Sequence, residues 1–209
     1  MIYLILTASL HNRYGSQAAH REKEYQSAIE QTLKHLPSSI QPIIVENNGS
    51  RETCLDHFTH DNRSVPVVYT DHNTQHFQSK GITERMDLLS VIEQHGIQPD
   101  DMIIKLTGRY STTTSFFFEE VLKEEPHYDA LVKFYGSCSL KFEPFDCILG
   151  MYAIRAKFLF WWTPYLIEQH PSAEVAFARY VRLGVDRLKE MERLDLHCVF
   201  AEDGRTLDV

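Results

Sequence analysis

Met102-Ile103-Ile104-Lys105-Leu106-Thr107-Gly108-Arg109-Tyr110 reads as a short apolar strand that closes in a hydroxyl, a bare backbone, a cation and an aromatic ring. In an open α/β sheet, ligands bind at the carboxyl ends of the strands. A guanidinium at such an end suits an anion, most simply a phosphate. The plainer reading is that Gly108 turns the chain and Arg109 is a solvated charge. The other strand ends decide between the two.

Outward from this strand, strand and helix signals alternate. Strands are expected at residues 2–7, 41–46, 65–70, 102–106, 128–135, 147–155 and 196–200. Helices are expected at 21–36, 51–58, 82–95, 116–125 and 172–183. Tyr25, Ala28, Ile29, Leu33 and Leu36 line one face of the first helix, and Ile82, Met86, Leu89 and Ile92 one face of the third. Asn47-Asn48-Gly49 is a turn signal, Gly96 fits the residue after a helix end, and Ser172 fits an N-cap. Three strand–helix units in the first half predict an α/β fold whose mixed sheet is mostly parallel and flanked by helices. No repeat or linker divides the chain, so residues 1–209 are expected to form one domain.

A parallel sheet puts all its carboxyl ends on one rim. Those ends are Thr7-Ala8-Ser9, Glu46-Asn47-Asn48, Thr70-Asp71 and Thr107-Gly108-Arg109, with Arg13 and Lys80 nearby. Such a ring suits a nucleotide, with amides or carboxylates for base and ribose and cations for the diphosphate. Each residue alone could be turn or cap chemistry; their coincidence is the signal. No Gly-x-Gly-x-x-Gly, P-loop or Gly-x-Ser-x-Gly motif is present, which disfavours Rossmann dinucleotide enzymes, P-loop NTPases and α/β-hydrolases.

The net charge of −8 excludes general nucleic-acid binding through a basic surface. With 43% apolar and 24% charged residues the chain has the make-up of an ordinary globular protein. No stretch is long and apolar enough to span a bilayer, and residues 1–7 read as a first strand rather than a signal segment. The scattered Cys54, Cys138, Cys147 and Cys198 form no Cys-x-x-Cys pair, which fits a reducing, cytoplasmic setting. The apolar run 158–162 is either core or a surface for a membrane or partner. His57 with His60, and His72 with His76, lack the spacing of a structural zinc site.

Four segments resemble GT-A-type glycosyltransferases, the single-domain nucleotide-sugar fold. They are Thr7-Ala8-Ser9, Glu46-Asn47-Asn48, Lys80-Gly81 before the central strand, and Gly150-Met151-Tyr152-Ala153-Ile154-Arg155. The last is similar to a segment beside the family's acceptor pocket. The resemblance runs over roughly residues 1–180, and the compact form is similar to small enzymes of bacteria and large DNA viruses. It implies a nucleotide-binding half at about 1–110 and an acceptor half at about 111–209. It also implies transfer of a sugar from a nucleoside-diphosphate donor, most simply a UDP-sugar, to a glycan or lipid-linked acceptor, as in polysaccharide biosynthesis at or near a membrane. The donor side would comprise Thr7, Ala8, Ser9, Arg13, Glu46, Asn47, Asp71, Lys80, Lys105, Thr107, Gly108, Arg109 and Tyr110, and the acceptor side Gly150, Met151 and Tyr152.

One departure matters. Many such enzymes end the central strand in Asp-x-Asp, which holds a divalent metal; here Thr107-Gly108-Arg109 stands there. Either Arg109, with Lys80 or Arg13, neutralises the diphosphate without a metal, or Asp71 and Asn73 form a displaced site for Mn2+ or Mg2+. Negative charge developing on the leaving diphosphate needs stabilising, and an inverting transfer needs a carboxylate base. Asp146 and Glu174 are the candidates; each could equally be a turn or helix-start residue. Two rivals remain open: a non-catalytic nucleotide-sugar or glycan-binding module of the same fold, and a nucleotidyltransferase.

Overall fold

The computed structural model describes residues 1–11, 18–49, 51–75, 77, 79–134, 145–170, 172–200 and 205–209. Arg13, His76 and Cys138 lie outside the described residues. In chain order the elements are β1 (Ile2–Ala8), α1 (Ala18–His35), β2 (Gln41–Glu46), β3 (Thr59–His60), β4 (Arg63–Ser64), β5 (Val67–Tyr69) and α2 (Lys80–Gln94). Then follow β6 (Met102–Thr107), β7 (Ser111–Thr112), α3 (Phe116–Glu124), β8 (Ala130–Val132), β9 (Met151–Arg155), α4 (Ala156–Trp161), α5 (Pro164–Glu168) and α6 (Ala173–Gly184). β10 (Leu188–Glu190), β11 (Leu196–Val199) and β12 (Thr206–Asp208) complete them.

Seven strands form the central sheet in the order β10-β8-β9-β6-β1-β2-β5. β1 pairs in parallel with both β2 and β6, and β2 with β5. β9 runs antiparallel to both its neighbours, β6 and β8. The expected mostly parallel sheet is present. A smaller sheet, β12-β11-β7, packs near the end of β6.

Strand alternation sorts the core into two layers. Tyr3 and Ile5 of β1, Ile43 and Val45 of β2 and Ile103 of β6 pack with α2 and α6. Leu4, Leu6, Ile44, Ile104 and Leu106 pack with α1 and α3. All five expected α1 residues are buried. In α2 the deepest apolar residues are Ile82, Leu88, Val91 and Ile92, whereas Met86 and Leu89 are only partly buried. The arc is rotated because a carboxylate, Asp87, also turns inward. Gly96 has φ +60° and Ser172 accepts from Val175 N at 3.2 Å, as expected.

Other expectations are corrected. Residues 51–58 hold a single 3-10 turn, Cys54–His57, rather than an α-helix, opened by a Thr53 N-cap. The strand expected at 147–155 begins only at Met151, with Cys147 in an isolated bridge to Phe134. The 158–162 run divides: Phe158, Leu159 and Trp162 are core, while Phe160 and Trp161 are exposed. Among the described residues no helix is long and apolar enough to cross a membrane.

At the rim opposite the carboxyl ends, Asp129 accepts from Arg155 Nε at 2.9 Å and from Arg187 Nε at 3.0 Å. The Arg187 bond, aided by Arg155, holds the Asp129 carboxyl below the usual carboxylate range despite partial burial. A depressed folded-state pKa stabilises fully above the ordinary carboxyl pKa, and the gain is lost as pH falls through the folded value. Asp129→Asn is therefore expected to lower unfolding free energy at pH 7 by about 2–4 kcal/mol. Urea melts from pH 7 to pH 3 should find the gap from wild type narrowing on acidification; a constant gap would contradict the assignment.

Candidate functional site

The carboxyl ends of β6, β1, β2 and β5 lie side by side along one rim. Thr7 and Thr107 are register partners. The rim is tied together from both faces of the sheet, on each by one buried acid.

On the α1 side, Glu46 has no exposure. Its Oε1 accepts from Leu10 N at 3.1 Å, and its Oε2 accepts from Asn48 N at 3.1 Å and pairs with Arg51 at 3.3 Å. The Asn48 amide also donates to Oε1. A buried carboxylate must be satisfied by such donors. Glu46 thus holds the loops after β1 and β2 in place and turns no oxygen outward. Asn73 Nδ2 extends the lattice to the β5 loop, donating to Asn48 Oδ1 at 2.7 Å and His11 O at 3.0 Å.

On the other face, α2 presents Glu84 and Asp87 three residues apart, and hence toward the same side. Asp87 is 1% exposed. It accepts from Asn47 Nδ2 at 2.9 Å, Thr70 Oγ1 at 2.7 Å and His72 Nδ1 at 2.7 Å. The Asp87 bond raises the His72 pKa, with partial burial opposing. Glu84 Oε1 takes the Thr7 hydroxyl at 3.0 Å and the Lys105 ammonium at 2.6 Å. Lys105 is 1% exposed and also donates to Thr107 Oγ1 and Leu149 O, each at 2.9 Å. The sheet alternation turns Lys105 to the α2 side of the strand, so it lies beneath the rim.

Arg109 is half-buried and donates to Val199 O of β11 at 2.7 Å. Gly108 N donates to Thr7 O at 2.8 Å, and a Cβ there would sit 3.1 Å from the Tyr25 ring. Tyr110 is buried against Gly150, where a Cβ would fall 2.3 Å from its ring. Ala8, Met151 and Tyr152 are buried, and the Tyr152 ring packs 4.4 Å from Phe177. Burial raises the Tyr152 pKa well above its ordinary value. Asp146 is fully buried; Glu174 is half-buried in the first turn of α6. Cys147 Sγ donates to Glu174 O at 3.4 Å, so the two candidate bases lie on adjoining segments. A Cβ at Gly81 would meet that of Ala173 at 2.6 Å, which sets the start of α2 against the start of α6.

Ser9, Asn48, Thr70, His72 and Asn73 thus form one end of the rim and Thr7, Glu84, Thr107 and Arg109 the other. Asp71 and Lys80 are exposed beside it. Sequence reasoning missed Glu84 and Asp87. Neither lies on the apolar face read from the sequence, so no local signal marked them.

A displaced cation site, one of the two alternatives at this rim, would draw on Asp71 and Asn73. Among the described residues no group of three or more His, Cys, Asp or Glu side chains gathers as cation ligands. Asp71 is exposed, and Asn73 has its amide nitrogen engaged with two other loops.

No protein-family model matches the chain, and no curated protein sequence does. Solved structures do. The galactosyltransferase LgtC, solved with donor and acceptor sugar analogs, is 10% identical with a TM-score of 0.57, over 91% of this chain and 73% of that one. A 4-diphosphocytidyl-2C-methyl-D-erythritol synthase is 13% identical with a TM-score of 0.54, over 93% and 90%. A protein of Desulfovibrio desulfuricans G20, provisionally described as a nucleotide-diphospho-sugar transferase, is 10% identical with a TM-score of 0.56, over 91% and 79%. At these identities the likeness carries the fold: this is the GT-A-like fold of nucleotide-diphospho-sugar transferases.

The closeness of Tyr110 to Gly150 has a measurable consequence. Gly150→Ala is expected to destabilise by about 1–3 kcal/mol through overpacking. Adding Tyr110→Leu should restore part of the loss in urea melts. Equal stability of wild type and Gly150→Ala would contradict the packing described.

Proposed function

We propose that this chain is a transferase that uses a nucleoside-diphosphate sugar, passing the sugar to an acceptor hydroxyl. The observation that carries the reading is the convergence of four parallel strand ends into one polar rim, tied through Glu46 and Asp87. The neutral groups at the β2–β5 end suit a nucleoside. Arg109 and Lys80, with Arg13, suit the diphosphate. A UDP-sugar is the donor proposed, and a glycan or lipid-linked molecule the acceptor.

Transfer needs the leaving diphosphate stabilised and the acceptor proton removed. Fixed cations act on the first without reorganising during the reaction. Arg109 is the strongest such group, since its Val199 bond fixes one arm of the fork. Glu174 is the base favoured here, because it is partly open to solvent whereas Asp146 is sealed. Exposed Phe160, Trp161 and Tyr165 on α4 and α5 support a peripheral membrane contact.

A second reading, nucleotide-sugar binding without transfer, is favoured by one observation: Thr107-Gly108-Arg109 holds no carboxylate pair where many relatives of this fold do.

The test is thermal shift with UDP, GDP and CDP, followed by release of nucleoside diphosphate from their sugar conjugates, with and without Mn2+ or Mg2+. Stabilisation by one diphosphate and turnover of its sugar conjugate are expected. Binding without turnover across many acceptors favours the second reading, and no shift with any of them contradicts both. Arg109→Gln is expected to weaken binding of the diphosphate about tenfold or more, and of the free nucleoside little. Glutamine retains a donor for Val199 O. Equal losses for both ligands would refute the role of Arg109.

A further inference from the structure

His72 is held in a way that the rest of the rim does not require. It sits in a 3-10 turn, His72–Thr74, separated from β5 by Thr70 and Asp71. Asp87 can only accept at its ionised oxygens, so the ring's Nδ1 donates the 2.7 Å bond between them. Asp87 is itself fixed by Asn47 and Thr70. This is a carboxylate that orients an imidazole, the arrangement by which proteins aim a ring's second nitrogen. Among the described residues Nε2 has no hydrogen-bond partner, and the side chain is 15% exposed.

The chemistry of Nε2 limits what it can take. A neutral ring with Nδ1–H accepts at Nε2, and a charged ring donates. A hydroxyl satisfies either state; a phosphate or a carbonyl satisfies only the charged one. The exposed carboxylate of Asp71 and the buried one of Asp87 flank the ring, which opposes a phosphate there. Asn48, Asn73 and Thr70 offer neutral polar groups at the same end. β5 lies three strand spacings from β6, ~14 Å. That separation leaves room for a nucleoside near His72 and a diphosphate toward Arg109.

We propose that His72 takes a ribose hydroxyl of the bound nucleotide and that Asp87 is its positioning residue. The proposal rests on the nucleotide reading above and deepens it by naming the ribose contact.

The experiment measures calorimetric affinities for the tightest of UDP, GDP and CDP and for its 2′-deoxy and 3′-deoxy forms. The proteins compared are wild type, His72→Ala and Asp87→Asn. Wild type is expected to prefer the ribonucleotide over one deoxy form by about tenfold, the loss of one hydrogen bond. In His72→Ala that ratio should fall to about one. In Asp87→Asn it should fall part of the way, with loss of the downfield imidazole Nδ1–H proton resonance that wild type displays. His72 lies on a surface turn, so its variant tests the proposal even if Asp87→Asn does not fold. An unchanged ratio in His72→Ala, or equal affinity of wild type for all three sugars, overturns the ribose contact and leaves the nucleotide reading standing. Failure of wild type to bind any of the three nucleotides overturns both.

Discussion

A carboxylate removed from water must be surrounded by donors, and that requirement shapes the polar rim of this protein. Glu46 meets it with the backbone of Leu10 and Asn48 and the guanidinium of Arg51. Asp87 meets it on the opposite sheet face with Asn47, Thr70 and His72. The donors belong to the loops after β1, β2 and β5. Satisfying two acids therefore sets three loops relative to one another before any ligand arrives. Preorganisation of this kind reduces the ordering cost of binding.

The β1–β6 end is built on different principles. Lys105 is buried but not isolated, because Glu84, Thr107 and Leu149 O complete its hydrogen bonds. Its charge is matched internally, which leaves Arg109, in the turn after β6, as the more exposed of the two cations. Gly108 and Gly150 act through packing. One lets the β6 turn approach Tyr25 and the Thr7 carbonyl, and the other admits the Tyr110 ring. Residues 102–110 are thus divided between a buried floor and a half-buried guanidinium that reaches β11.

Much of the fold was legible because periodicity is a local property. The strands β1, β2 and β6 and the buried face of α1 follow from alternation and a 3.6-residue repeat. The N-cap of Ser172 and the left-handed Gly96 follow from residue type. The antiparallel sense of β9 was not legible, since strand direction depends on partners distant in the chain. Nor was the inward turn of Glu84 and Asp87. On a helix wheel a carboxylate is assigned to water, and only the donors on β1 and β6 and in the loops after β2 and β5 reveal otherwise. For the same reason Glu46 and Lys105 read as rim groups, whereas burial makes them its supports.

The most direct test of a preformed nucleotide rim is an NMR titration of isotopically labelled protein with UDP, following every backbone amide. The account predicts the largest shifts at Ser9, Leu10, Asn48, His72, Asn73 and Arg109, with Asp129 and the β3–β4 hairpin unmoved. Shifts confined to the groove between α1 and that hairpin, lined by Leu33, Lys34, His57 and His60, would contradict it, as would no shifts at all.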